Sequence, residues 1–320
     1  MAYCHVMNRR QAIPKHLRYT RAQFDAEFPN DDVCLETVKE QRFPGGIKFC
    51  ETCQKDRKHY RVTGRTAYAC DRCGHHIYPL AGTIFEKSTT PLRIWFQAMY
   101  LMGSTRCGIS AKQIQRETGV TYKTAWRMFK QIRTLLAEDF HLEGSSVEMD
   151  ETFVGGRERK NPKRPQWLEP SKKTCVVGMV ERKGRVRAVI ADDTSRKTLH
   201  DIAKEYILPT STVFTDDLAS YHGLEDHGYV HHRINHSAGV YVTGDIHTQT
   251  IEGFWSLVKK GIGGVYHSVS KKYLQSYLNE YSFRYNHRDC GNLIFPAILA
   301  KVSERAASRL SGPIAENHPA

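Results

Sequence analysis

The spacing of apolar positions changes several times along this chain, and each change predicts a different element. Residues 22–40 (AQFDAEFPNDDVCLETVKE) follow a helical period, with Asn30 placed to cap a helix whose first turn carries Asp31 and Asp32. The RFPGG of 42–46 ends that pattern. Residues 91–140 are again helical. Near HLEGSS (141–146) the period shortens to that of strands, in SVEMDETFVGG, TCVVGMVERKG and RVRAVIADD. A helix, SRKTLHDIAKEYIL, and a further strand, STVFTDD, come next. From about Thr250 to Ser303 the helical period returns, and the final SGPIAENHPA reads as a disordered tail.

Composition narrows the class. At 320 residues and 40% hydrophobic content the chain suits two or three packed domains, which excludes global disorder. A net charge of +13 calls for a polyanionic partner, nucleic acid or an anionic membrane. The membrane is the weaker choice, because the best apolar run, PLRIWFQAMYLMG (91–103), is short and contains Arg93 and Gln97. The N-terminus lacks an apolar signal core, so a cytoplasmic, nucleoid-associated location is expected. Nine cysteines, an odd number, fit a reducing compartment with a metal site better than a disulfide framework.

Four of those cysteines form CETC (50–53) and CDRC (70–73), sixteen residues apart. Two such pairs present four thiolates to one ion, so Cys50, Cys53, Cys70 and Cys73 are expected to hold a single structural Zn²⁺ with its shell closed. Gly74 follows the second pair, where the turn needs positive φ, and KHYRVTGRTAYAC between the pairs alternates like a hairpin. A redox role would need only one CxxC. His75 and His76 read as surface residues.

Residues 109–133 (ISAKQIQRETGVTYKTAWRMFKQIR) carry a helix-turn-helix pattern. Gly119 supplies the turn and Thr121 the cap, and Ala125, Met128, Phe129 and Ile132 form a buried stripe. Tyr122, Lys123, Arg127 and Lys130 would then face double-stranded DNA. A plain helical hairpin fits the same pattern.

The candidate chemistry lies in three acids. Asp150 and Asp216 each stand at the end of a strand-like run, and Glu252 stands near the start of a helix over 250–262. Ile251, Phe254, Trp255, Val258 and Ile262 form the apolar side of that helix, so Trp255 reads as core and Glu252 projects from the flank. Three convergent carboxylates repel one another unless cations neutralise them. Two Mg²⁺ or Mn²⁺ ions roughly 3.5–4 Å apart do so, and such pairs drive in-line phosphoryl displacement. Taken singly, each acid is better explained by a cap or a helix dipole; their joint placement at two strand ends and a helix start is what points to chemistry. Glu148, Glu151, Asp217 and Asp245 are possible substitutes. His236 and His247 are candidates for proton transfer, and satisfied structural histidines fit equally well.

At this point the sequence resembles the bacterial insertion-sequence DDE transposases of the ISXO-like group. The resemblance rests on CETC…CDRC…IYPLAGTIFEKSTTPLRIWFQAMYLM with GISAKQIQRETGVTYKTAWRM, on VEMDETFVGG, and on INHSAGVYVTGDIHTQTIEGFWSLVKKGIGGVYHSVSKKYLQSYLNEYSFRYNHR. It implies a multidomain α+β chain, with a small zinc ribbon, a helical helix-turn-helix segment and a ribonuclease H-like α/β catalytic domain built on a mixed sheet. The expected bounds are 1–45 for an N-terminal helical segment, 46–85 for the ribbon, 90–140 for the helix-turn-helix, 145–303 for the catalytic domain and 304–320 for the tail. Asp150 and Asp216 carry over as the first two acids. Many relatives have asparagine where this chain has Gln249, so the third position stands between Glu252 and Gln249; a carboxylate is the better Mg²⁺ ligand.

The implied activity is transposition. Terminal inverted repeats are bound, a strand is cleaved with divalent metal, and the freed 3′-OH is joined to target DNA. Lys259 or Lys260 and the basic loop 157–173, with seven Lys or Arg, would contact phosphate. A homodimer or higher oligomer is expected, because strand transfer needs two DNA ends. The alternatives are a non-catalytic zinc-ribbon, helix-turn-helix regulator and a nuclease that cuts without joining.

Overall fold

The computed structural model describes residues 14–105, 107–155, 173–234, 248–291 and 293–310. They group into two compact units, one of residues up to 106, 111–135 and from 290 onward, the other of 107–110 and 136–289.

In the first unit, Thr20 and Gln23 cap α1 (Arg21–Glu27) reciprocally. Asn30 caps α2 (Asp31–Arg42) by accepting the Val33 N–H at 3.0 Å, and Asp31 and Asp32 complement the positive helix end. The cysteine-rich segment folds into small antiparallel sheets. β1 (Phe49–Cys50) pairs with β2 (Lys55–Asp56), and β3 (His59–Arg61), β4 (Tyr68–Cys70) and β5 (His76–Ile77) form a three-stranded sheet. Helices α3 (Leu92–Ser104), α4 (Ala111–Thr118) and α5 (Tyr122–Arg133) follow. Gly119 ends α4 at φ +73°, and Thr121 caps α5 by accepting the Thr124 N–H at 3.2 Å. Ala125, Met128, Phe129 and Ile132 are all buried.

The second unit is built on a five-stranded mixed sheet. Strands β6 (Ser146–Val154), β7 (Thr174–Glu181) and β8 (Val186–Ile190) form an antiparallel meander. After α6 (Arg196–Tyr206), β9 (Thr212–Asp216) and β10 (Val230–Ile234) add in parallel on the other side of β6, giving the order β10-β9-β6-β7-β8. Alternation along the strands feeds two cores. Val147, Met149, Val177, Met179 and Val213 pack with Leu199 and Ala203 of α6. Val154, Val176 and Val180 pack on the opposite face with α7 (Gln249–Gly261) and α8 (Lys271–Asn286), through Ile251, Phe254, Trp255, Val258, Leu274 and Leu278.

The outer edge of β8 is closed by side chains of α8. Gln275 Oε1 accepts the Ile190 N–H at 2.9 Å while its amide donates to Ala188 O. Asn286 does the same for Val186, accepting its N–H at 2.7 Å and donating to its carbonyl at 3.2 Å. The two amides stand in for a further strand and deny the edge to another chain.

The last helix, α9 (Ile294–Leu310), departs from the expected boundaries. The expected bounds give residues 294–303 to the catalytic domain and the rest of the helix to a tail. Instead Phe295 joins Phe24, Phe28, Phe96 and Tyr100 in an aromatic cluster of the first unit, with Phe24 stacked on Tyr100 at 4.9 Å. Gly103 of α3 permits the approach, since a Cβ there would lie 2.9 Å from the Phe295 backbone nitrogen. Among the described residues, no helix is long and apolar enough to cross a membrane.

Candidate active site and metal centre

Asp150 and Asp216 are brought together by strand register. β6 and β9 run parallel with Ser146 opposite Thr212 and Glu148 opposite Phe214, an offset of 66 (212 − 146). The pairing runs as far as Glu148 and Phe214; continued two residues further, the same offset (216 − 150) leads from Asp150, in the middle of β6 and not at its end as expected, to Asp216, the last residue of β9. Strand alternation puts both on the face covered by α7. The Asp216 Oδ1 accepts the Leu218 N–H at 3.1 Å, which turns the chain out of the sheet. Burial, and then the carboxylates of Glu151, Asp216 and Glu252, push Asp150 up to about 7, against the pull of a hydrogen bond from Trp255.

Helix α7 reaches this face through close packing. Trp255 is 4% exposed, core as expected, but its Nε1–H also donates to Asp150 Oδ2 at 2.9 Å, a contact the sequence did not reveal. Glu252 lies exposed in the first turn, with the Thr248 hydroxyl 3.4 Å from its Oε1. Gln249 is the first residue of the helix and is exposed; Lys259 and Lys260 are exposed in its last turn. The carboxylates of Asp150, Asp216 and Glu252 do not form a closed cluster. Among the described residues, the cysteines alone give three or more Cys, His, Asp or Glu ligand atoms all within 4.8 Å of one another.

The substitute acids have other partners. Glu148 is fully buried and holds the start of α7 together with Arg182. Glu151, the next residue after Asp150 and so on the other face, accepts the Tyr221 hydroxyl at 2.6 Å. Asp217 pairs with Arg233 at 3.6 Å. Asp245, His236, His247 and residues 157–172 of the basic loop lie outside the described residues.

Cys50, Cys53, Cys70 and Cys73 converge as the spacing required. The Sγ atoms of Cys50 and Cys73 are 3.5 Å apart and those of Cys53 and Cys70 are 3.9 Å apart. A tetrahedron with Zn–S bonds of about 2.3 Å has edges of about 3.8 Å, so the thiolates fit one Zn²⁺ and leave no open position. The two turns are alike. Gly74 follows Cys73 at φ +70°, and Gln54 follows Cys53 at φ +51°, without a glycine to mark it in the sequence.

On the outer side of α5, Tyr122, Lys123, Arg127 and Lys130 are all exposed. Tyr122 lies under the Lys112 ammonium, with 4.9 Å to the ring centroid. Lys130 lies 5.9 Å from the Trp126 ring. Arg127 does not project freely; it donates to Ser88 Oγ at 3.3 Å and leans toward Trp95.

Residues 141–286 match the family described as the ISXO2-like transposase domain, and residues 29–76 match the transposase zinc-ribbon domain. A protein of transposable element ISH50 from Halobacterium salinarum is 32% identical over 279 residues, covering 80% of this chain and 91% of that one. The chain belongs to the ISXO2-like transposase family. A transposase-like protein of Haemophilus influenzae is 29% identical over 107 residues, 33% of this chain and 85% of its own length. A pre-cleavage Mos1 transpososome aligns over 65% of this chain and 75% of that chain, at 12% identity and TM-score 0.28, a likeness too slight to bear on the fold. The span matched to the ISXO2-like transposase domain contains Asp150, Asp216, Gln249, Glu252, Lys259 and Lys260, and the ribbon match contains all four clustered cysteines.

Proposed function

We propose that this chain is an insertion-sequence DNA transposase that binds the terminal inverted repeats of its element, cleaves a strand there and joins the freed 3′-OH to target DNA. One observation carries the reading: Asp150 lies on β6 beside the parallel strand β9 that ends in Asp216, on the face packed by the helix that bears Glu252, and the charges of Asp216 and Glu252 both act on it. A meander of three strands extended by two parallel ones, with helices on both faces, supports the ribonuclease H-like fold that the resemblance implies.

The donor set suits hard divalent cations. It is all oxygen, and Asp150 is raised first by burial and then by its acidic neighbours, which a bound cation would offset. Two Mg²⁺ or Mn²⁺ ions held by Asp150, Asp216 and Glu252 would lower the pKa of the attacking water and neutralise charge at the scissile phosphate. Glu252 is preferred to Gln249 as the third ligand because it is a carboxylate and its charge reaches Asp150. Lys259 and Lys260, further along α7, would bind flanking phosphates.

The reaction has two in-line displacements. Water attacks the phosphorus at the element end, the 3′ oxygen leaves, and a 3′-OH results. That hydroxyl then attacks a target phosphodiester and expels a second 3′ oxygen. The ribbon and the α4–α5 pair, with Tyr122, Lys123, Arg127 and Lys130 outward, would hold the ends, and a dimer or higher oligomer would bring two ends together.

Incubation of the zinc-loaded chain with a labelled element end, target plasmid and Mg²⁺ tests this. Nicked ends and joined products are expected, both lost in Asp150→Ala and Asp216→Ala. Binding without nicking would favour the regulator; nicking without joined product would favour a simple nuclease.

A further inference from the structure

Gly178 of β7 is the direct cross-strand partner of Asp150 on β6. Its missing side chain matters, because a Cβ at Gly178 would lie 2.4 Å from Cζ2 of Trp255 and 2.8 Å from Cδ1 of Ile251. The indole therefore fills the space that any other residue opposite Asp150 would occupy. A buried indole needs a partner for its N–H, and here the partner is Asp150 Oδ2 at 2.9 Å. With Oδ2 held, the carboxyl loses its freedom to rotate, and its other oxygen is aimed before a cation arrives. Outer partners that orient a metal-binding side chain in this way typically change affinity by about 10–100-fold when removed.

We infer that Trp255 is a positioning residue for Asp150, seated by the bare backbone at Gly178, and that its hydrogen bond sets the affinity of the acidic site for divalent cation. The inference rests on the reading of Asp150 as a cation ligand given above. Packing alone would also bury a tryptophan here, so the test has to separate ring volume from the N–H.

Two substitutions do so in the full, zinc-loaded chain. Trp255→Phe keeps an aromatic ring without a donor. Trp255→His keeps a ring nitrogen in the place of Nε1 but loses the six-membered ring. Two quantities are read: the rise in melting temperature caused by Mn²⁺, and the Mn²⁺ concentration giving half-maximal cleavage of an element end. Trp255→Phe is expected to raise the half-maximal concentration about tenfold or more and to shrink the Mn²⁺-induced thermal shift, the cleavage deficit closing as Mn²⁺ is raised. Trp255→His is expected to melt lower yet keep a half-maximal concentration near that of the parent.

The reverse pattern, with Phe unchanged in Mn²⁺ dependence and only stability altered, overturns the inference. Should neither variant fold, the parent chain decides. The Trp255 indole N–H resonance, one of four from the tryptophans, must move when Mg²⁺ is added; a fixed resonance under conditions of Mg²⁺-dependent cleavage overturns it. Asp150→Asn separates the two layers. If Asp150→Asn keeps both the Mn²⁺ shift and cleavage, the active-site reading itself fails. If Asp150→Asn loses both while Trp255→Phe matches the parent, only the role of Trp255 fails.

Discussion

Glu148 accepts the backbone N–H of Ile251 at 3.0 Å, across 103 positions of sequence, from a strand that has no exposed surface at that point. The same oxygen accepts the Thr250 N–H at 2.8 Å, and the other accepts the Thr250 hydroxyl at 2.9 Å and Arg182 Nε at 3.1 Å. A buried carboxylate thus caps the positive end of α7 and fixes where its first turn begins. Glu148→Ala would remove the acceptor of two helix amides and the Thr250 hydroxyl and one hydrogen bond of Arg182, and is expected to destabilise the fold by roughly 3 kcal/mol or more, read from chemical denaturation. A Glu148→Gln chain that kept full stability but lost cleavage would instead make Glu148 a catalytic acid.

The amides along β8 are predicted to guard its edge. Gln275→Leu and Asn286→Leu each remove the acceptor of one strand N–H, at Ile190 and Val186. Each is expected to cost about 1–3 kcal/mol in stability, and the double variant is expected to self-associate on light scattering.

The ribbon is predicted to bind one zinc per chain, since it holds one four-cysteine cluster. Cys73 is exposed, so a strong chelator should remove the ion without denaturant. Cys70→Ser should lose stoichiometric zinc by metal analysis and lower the melting temperature of the first unit. Gln54→Gly should relieve the left-handed backbone at that knuckle and raise stability by about 1 kcal/mol.

His200 gives the fold an acid-sensitive point. Burial, and then the charges of His227, Arg196 and Lys204, lower its pKa below the ordinary histidine value of 6.5. Its Nδ1 faces His227 Nε2 at 3.1 Å. A histidine depressed in the fold binds its proton more readily when unfolded, so its contribution is full above about pH 6.5 and falls as pH drops from there toward the folded value. The melting temperature should therefore fall between pH 7.5 and pH 5. His200→Gln should flatten that slope; an unchanged slope would place the acid sensitivity elsewhere.

What could be read from the sequence was local. The paired CxxC turns announce a metal because each pair needs only neighbouring residues to present two sulfurs. The stripe of Ala125, Met128, Phe129 and Ile132, with Thr121 before it, sufficed for α5. Asp216 is a strand end as the pattern suggests, whereas Asp150 lies mid-strand, because β6 runs on to Val154; the resemblance marks both. Their juxtaposition depends on the offset between β6 and β9, and no residue states a register. The partners of Glu148, the space at Gly178 and the hydrogen bond of Trp255 depend on that register too, so Glu148 read as a spare acid and Trp255 as core alone. For α9, amphipathic spacing told which side is buried and not against what, and the helix went to the wrong neighbour.

Asp150 and Asp216 should together bind the ions that serve strand cleavage. Anomalous diffraction from crystals of the chain grown with Mn²⁺ and an element-end duplex would show this. Mn²⁺ peaks are expected in contact with the carboxylates of both Asp150 and Asp216; peaks at other acids, with these two bare beside the scissile phosphate, would refute their joint role.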